Sequence, residues 1–261
     1  MDPDRRAELL EVIAGGSAIL FTGAGFSVAA RDRSDHPMPD GERMRRELWR
    51  IVFSEAEEPD ASSLQDLFDV ALAHHRAELI RYLDTRLRLG ERELSPHYAA
   101  WFAAPWHKIY TLNVDDLASV VAERCSLPRP LAIRSSLRDP TRCDDGLEVI
   151  HLNGRVADGP EHITFSTLQY AARLCRREQD YEALANDLEQ HPFVFVGTTL
   201  DEVILWQHVE LRRRAERPTT RHPTFLVART LTRARQRLLE DLGMVWIRAS
   251  AEELASSLPS R

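Results

Sequence analysis

The chain has 261 residues, 34 basic and 41 acidic side chains and a formal charge of −7. With 43% hydrophobic and 29% charged residues it has the composition of a globular protein, not of a disordered, collagen-like or disulfide-scaffold chain. An acidic balance, with Lys108 the only lysine and the arginines scattered among acids, also excludes a surface that grips nucleic acid by charge alone.

The length is enough for one large α/β domain with a real core. Cys125, Cys143 and Cys175 are odd in number, far apart and never in a C-x-x-C pair. They suggest reduced thiols in a cytoplasmic protein, with neither a disulfide framework nor a cysteine metal site, and no metal is expected. Residues 12–30 carry no charge, which is long enough to suggest a membrane span. Gly15, Gly16, Ser17, Thr22, Gly23, Gly25 and Ser27 interrupt it, and acids outnumber bases before it. It reads instead as a buried strand entering a glycine turn.

In chain order, residues 3–14 have a helical apolar face that Gly15 and Gly16 stop. Residues 18–21 form a short apolar run, the mark of a strand covered on both faces. After a polar loop at 31–40 come four helical stretches, 41–53, 63–75, 77–87 and 96–103, with no strand signal between them. That block, about 41–103, is read as a helical insertion forming a small second lobe of a single domain. The alternation then resumes, with strands at 108–111, 131–133, 148–152, 193–196, 224–227 and 245–247. Helices are expected at 114–124, 167–175, 179–189, 201–215, 232–241 and 251–258. Strands alternating with helices predict a Rossmann-like parallel sheet with helices on both faces.

Four strand ends carry residues suited to chemistry. Thr22-Gly23-Ala24-Gly25-Phe26-Ser27 leaves the first strand, and its glycines would let backbone N–H groups approach a diphosphate. Thr111-Leu112-Asn113-Val114-Asp115-Asp116 leaves the second, where Asn113 alone would read as a helix cap. His151-Leu152-Asn153-Gly154 ends a later strand, and a two-residue period puts His151 and Asn153 on one face. Gly197-Thr198-Thr199 ends another, with Thr199 a possible cap. Each alone is a common β–α turn. Four at the carboxyl ends of one sheet mark the place where open α/β sheets bind ligands.

Together these segments resemble the sirtuin superfamily over nearly the whole chain. Its Gly-Ala-Gly-x-Ser is met by Gly23 to Ser27, its Thr-x-Asn-x-Asp by Thr111, Asn113 and Asp115, and its late Gly-Thr/Ser-Ser/Thr turn by Gly197 to Thr199. Met38-Pro39-Asp40 is similar to the family's Ile-Pro-Asp, at longer separation and without the Phe-Arg after it. Three cysteines are too few for the four-cysteine zinc ribbon of protein-deacylating members. The helical block in its place resembles the bacterial sirtuin-like domains of anti-phage defence proteins, which hydrolyse NAD+ to nicotinamide and ADP-ribose.

The resemblance implies NAD+ as substrate. Asn113 would orient a water and the ribose hydroxyls, and Asp115 would hold the nicotinamide carboxamide. Gly23 to Ser27 would cradle the diphosphate, and Thr198 and Thr199 would face the adenosine ribose. The family's catalytic histidine precedes a glycine, and here that position is Asn153. An amide takes no proton near neutral pH. His151 lies two residues earlier, ~6.5 Å along a strand. The expected activity is thus an NAD+ glycohydrolase lacking the usual base, in a homo-oligomer or beside a C-terminal sensor domain or separate activator. The alternatives are a silent NAD+ or ADP-ribose binding module, then a protein deacylase. Neither nucleic acid nor membrane is an expected partner.

Overall fold

The structure, a computed structural model, describes residues 3–53, 60–137, 146–175, 178–198, 200, 206 and 222–260. Seven strands form one parallel sheet: β1 (Ile19–Thr22), β2 (Lys108–Thr111), β3 (Leu131–Ser135), β4 (Leu147–His151), β5 (Phe193–Val196), β6 (Thr224–Val227) and β7 (Met244–Ile247). Their order is β3-β4-β2-β1-β5-β6-β7. β1 and β5 are buried at every position, which is why they read as unbroken apolar runs rather than as alternating ones.

The two-residue period still sorts their side chains into two layers. Leu20, Ile109, Val149, Val194 and Phe225 pack with Leu9 and Ile13 of α1 (Pro3–Ala14) and Tyr98 and Trp101 of α6 (Pro96–Ala103). Val121 of α7 (Leu117–Arg124) and Leu254 of α11 (Ala251–Ala255) complete that layer. Ile19, Phe21, Tyr110, Ile150 and Phe195 face the other way, onto Tyr170 of α8 (Thr167–Leu174), Tyr181 and Leu184 of α9 (Gln179–Gln190) and Leu239 of α10 (Arg233–Asp241). The Rossmann-like parallel sheet with helices on both faces is therefore the fold.

Between β1 and β2 the chain makes the short helix α2 (Ala24–Ser27) and then α3 (Gly41–Val52), α4 (Leu64–His74) and α5 (Arg76–Arg86). These last three build a third core of their own around Leu48, Phe68, Leu79 and Leu83, closed by Val114, Val156 and Ile163. The fourth helix of the insertion, α6, belongs to the first layer under the sheet, because the aromatic rings of Tyr98, Trp101 and Phe102 are buried there. The lobe is pinned through Arg86, which bonds Glu47 at 3.0 and 2.9 Å and also reaches the buried Asp32. Asp32 in turn accepts from the N–H groups of Ser34 and His36 at 2.8 and 2.9 Å. Buried charges are stable only when paired in this way. The arrangement fixes the loop that ends in Met38-Pro39-Asp40.

Some predicted ends move. The helix expected from residue 114 begins at Leu117, with Asp116 as its N-cap, because Asp115 Oδ1 accepts from Leu117 N at 3.1 Å and holds residues 113–116 in an irregular turn. The expected helix 201–215 lies, apart from Trp206, outside the described residues, as do Cys143 and Thr199. Among the described residues no helix is long and apolar enough to cross a membrane. Residues 12–30 run from the end of α1 through β1 into α2.

Candidate functional site

β1 has β2 on one side and β5 on the other, so the connections leaving the two turns above it go in opposite directions. Open α/β sheets leave a crevice at such a reversal, above the carboxyl ends of the strands. A cavity of about 660 Å³ occupies that place, roofed by the lobe. This size is in the range that holds a small-molecule or nucleotide ligand. Of the residues singled out from the sequence, Gly23, Ala24, Gly25, Phe26, Asn113, Asp115, Asn153, Gly197 and Thr198 line it. Ser27, Thr111 and His151 stand behind that lining.

At the β1–β5 junction the glycines serve first to dock two turns. A Cβ on Gly23 would lie 2.7 Å from the Gly197 carbonyl oxygen and 2.8 Å from Thr198 Cβ. Gly197 has a φ of +68°, and a Cβ there would fall 2.1 Å from the Phe26 nitrogen. Gly25 N donates to Gly197 O at 2.9 Å, Gly23 N to Val196 O at 3.0 Å and Phe26 N to Gly23 O at 2.8 Å. The expectation that the N–H groups of this turn lie open to a diphosphate is corrected for these three, since protein carbonyls already take them. Phe26 anchors the turn from below, its ring edge-on to Tyr98 and Trp101 at 5.7 and 5.9 Å. Thr198 Oγ1 accepts from Leu200 N at 3.0 Å, and its hydroxyl keeps one proton to donate.

At the β2 end side chains line the cleft. Asn113 is fixed at three points. Its N–H donates to Thr111 Oγ1 at 3.0 Å, its Nδ2 donates to Ser27 Oγ at 2.9 Å, and its carbonyl faces His151 Nδ1 at 2.8 Å. With Nδ2 committed to Ser27, the amide's acceptor is left to the cleft that Asn113 lines. Asp115 is buried beside it. Burial pushes its carboxyl up to about 6, opposed by hydrogen bonds from the Ser27 hydroxyl and Leu117 N–H. Ser27 thus accepts from Asn113 and donates to Asp115, locking the two cleft groups together.

The β4 end departs from expectation. The strand stops at His151 and the chain turns, so the two-residue period does not reach Asn153. His151 faces inward and is absent from the cleft wall, and burial holds its ring down to about 4. Asn153 turns instead toward the layer of Ile150 and Leu152. Its Nδ2 donates to Leu112 O and Tyr170 Oη, both at 3.4 Å, and its Oδ1 accepts from Tyr181 Oη at 3.3 Å and Arg173 at 3.5 Å. Neither residue supplies a base to the cleft: His151 is out of its reach, and Asn153, whose amide takes no proton, is braced by its neighbours at the cleft wall.

Among the cleft residues that the sequence did not single out are His97, Arg229 and Glu252. His97, on the first turn of α6, lines the wall with its Nδ1 2.7 Å from Ser95 Oγ. Burial lowers its pKa, against the pull of Glu252. Arg229, just past β6, and Glu252, at the start of α11, also line the cleft. No short motif announces them, because each belongs to a different element and only folding brings them together. No protein-family model matches this chain, and no curated protein matches it either.

Proposed function

We propose that the chain is an NAD+ glycohydrolase, cleaving NAD+ and water into nicotinamide, ADP-ribose and a proton. The observation that carries this reading is the Ser27–Asn113–Asp115 cluster, held rigidly in a nucleotide-sized cleft at the reversal of the sheet. Cleaving the nicotinamide–ribose bond builds positive charge on the ribose, which fixed dipoles and a carboxylate stabilise. Asn113 presents an amide oxygen to the ribose hydroxyls or to a water on the open face. Asp115, ionised above pH about 6, faces the cationic half of the substrate. Thr198 lies toward the diphosphate and the adenosine ribose. Holding a water needs placement more than a strong base, so loss of the usual histidine slows hydrolysis, typically by about 10²–10⁴-fold, without abolishing it.

The sirtuin resemblance, and within it the likeness to bacterial anti-phage effectors, extends this reading. The protein would then be a cytoplasmic NAD+-depleting domain that works as a homo-oligomer, or under a C-terminal sensor domain or separate activator. The second reading is a silent NAD+ or ADP-ribose binding module. What favours it is the engagement of the Asn153 amide at both ends together with the absence of His151 from the cleft wall. Deacylation has no feature of the site in its support.

The test is incubation of the purified protein with NAD+ and chromatography of the products, with Asn113→Ala as control. Nicotinamide and ADP-ribose should form with the wild type, and the variant should be slower by about 10²-fold or more while unfolding as a folded protein does. Binding of NAD+ without turnover would establish the second reading. Absence of both would overturn the two together.

A further inference from the structure

Thr111 and His151 are paired neighbours at the ends of β2 and β4. Beyond that pair the segments leave the sheet but stay joined: Asn153 Nδ2 donates to Leu112 O at 3.4 Å, Val156 N donates to Val114 O at 2.6 Å, and His151 Nδ1 lies 2.8 Å from the Asn113 carbonyl oxygen. A carbonyl only accepts, so Nδ1 carries the ring proton and Nε2 is left as the unprotonated nitrogen. Nε2 is buried without a hydrogen-bond partner among the described residues. A second proton there would place a cation where nothing receives it. Burial disfavours it most and Arg155 also opposes it, and together they outweigh the Asn113 carbonyl and Asp158, which favour it. The ring is therefore held as one neutral tautomer.

We infer that His151 is a positioning residue, whose Nδ1–H fixes the Asn113 carbonyl and thereby aims the Asn113 amide into the cleft. Of the three bonds on Asn113, the one it donates to Thr111 is local and the one it donates to Ser27 grips only the side chain. The bond from His151 alone ties the Asn113 backbone to another strand. The catalytic meaning of this rests on the hydrolase reading, but the geometric statement does not.

Asparagine and glutamine at position 151 separate the possibilities. In His151→Asn the amide nitrogen takes the place of Nδ1, so the bond to Asn113 is kept. In His151→Gln the amide reaches toward the Nε2 position, and in His151→Leu there is no donor. The Asn variant should keep kcat within about threefold of wild type, with a superimposable pH profile, while the Gln and Leu variants lose about 10–100-fold in kcat with little change in KM. An Asn variant as slow as the Leu variant would mean that the imidazole itself is required. Three variants as fast as wild type would mean that the bond positions nothing. Either result overturns the inference.

Nitrogen NMR gives a second reading that needs no activity. Wild type should show a single Nδ1–H tautomer for His151 from pH 5 to 8. The Asn113 side-chain amide should keep its shifts in His151→Asn and lose them in His151→Gln. Should the wild type neither cleave nor bind NAD+, this pair of spectra still decides. Equal perturbation of Asn113 by both variants, or by neither, overturns the positioning role.

Discussion

The ends of β2 and β4 are built from similar parts and put to different uses. Each closes on a polar residue, turns through an asparagine and lies beside the other in parallel register. After β2, Ser27 stands alongside and gathers Asn113 and Asp115 at the cleft wall. After β4, the neighbours are Tyr170, Tyr181 and Arg173, and they surround the asparagine instead. Arg173 also bonds Leu152 O at 2.7 Å, Thr164 Oγ1 at 3.1 Å and Glu178 at 2.7 Å, and lies over the Tyr181 ring. One strand end turns its polar groups toward the cleft, and the other uses them to brace the first. A residue type at the carboxyl end of a strand thus becomes a site only where its neighbours leave it an unbonded atom.

The comparison breaks most severely at the glycine contact beside it. Gly197→Ala should destabilise the protein by about 3 kcal/mol or more, since a left-handed residue gains a Cβ against the Phe26 backbone. Denaturant unfolding measures this, and a loss below about 1 kcal/mol would mean that the two turns separate easily.

The pH dependence of stability sharpens the contrast next. Between pH about 4 and about 6 the folded protein keeps a proton on Asp115 that the unfolded chain releases, so this residue's contribution falls as pH rises. Over much the same window the unfolded chain keeps a proton on His151 that the folded protein excludes, so that contribution rises. The two slopes oppose each other in the wild type. In Asp115→Asn, stability should climb with pH more steeply than in wild type, and in His151→Asn it should climb less steeply or fall. Each difference reaches at most about 1.4 kcal/mol per pH unit. Parallel curves for all three proteins would show that neither group titrates differently on folding.

Asn153→Ala is the mildest of these changes. It removes one hydrogen bond each from Tyr170, Tyr181 and Arg173 and should cost about 1–3 kcal/mol in thermal or denaturant unfolding. Stability unchanged in this variant would remove the brace and return Asn153 to the cleft as a free amide.

Local sequence determined much of this protein. The apolar runs of β1 and β5, the glycine stops after α1 and β5 and the helical faces between them follow from short-range pattern and propensity, because burial on both faces and chain reversal each demand particular residues. The parallel sheet and the four polar strand ends were legible for the same reason. Direction was not. That His151 turns inward, that Asn153 is encircled, that the first glycines press against Gly197, and that His97, Arg229 and Glu252 share one cleft depend on contacts between elements far apart in the chain. A two-residue period tells which way a side chain points only while the strand continues. Past its last residue, hydrogen-bond partners from other elements decide, and only the tertiary structure supplies them.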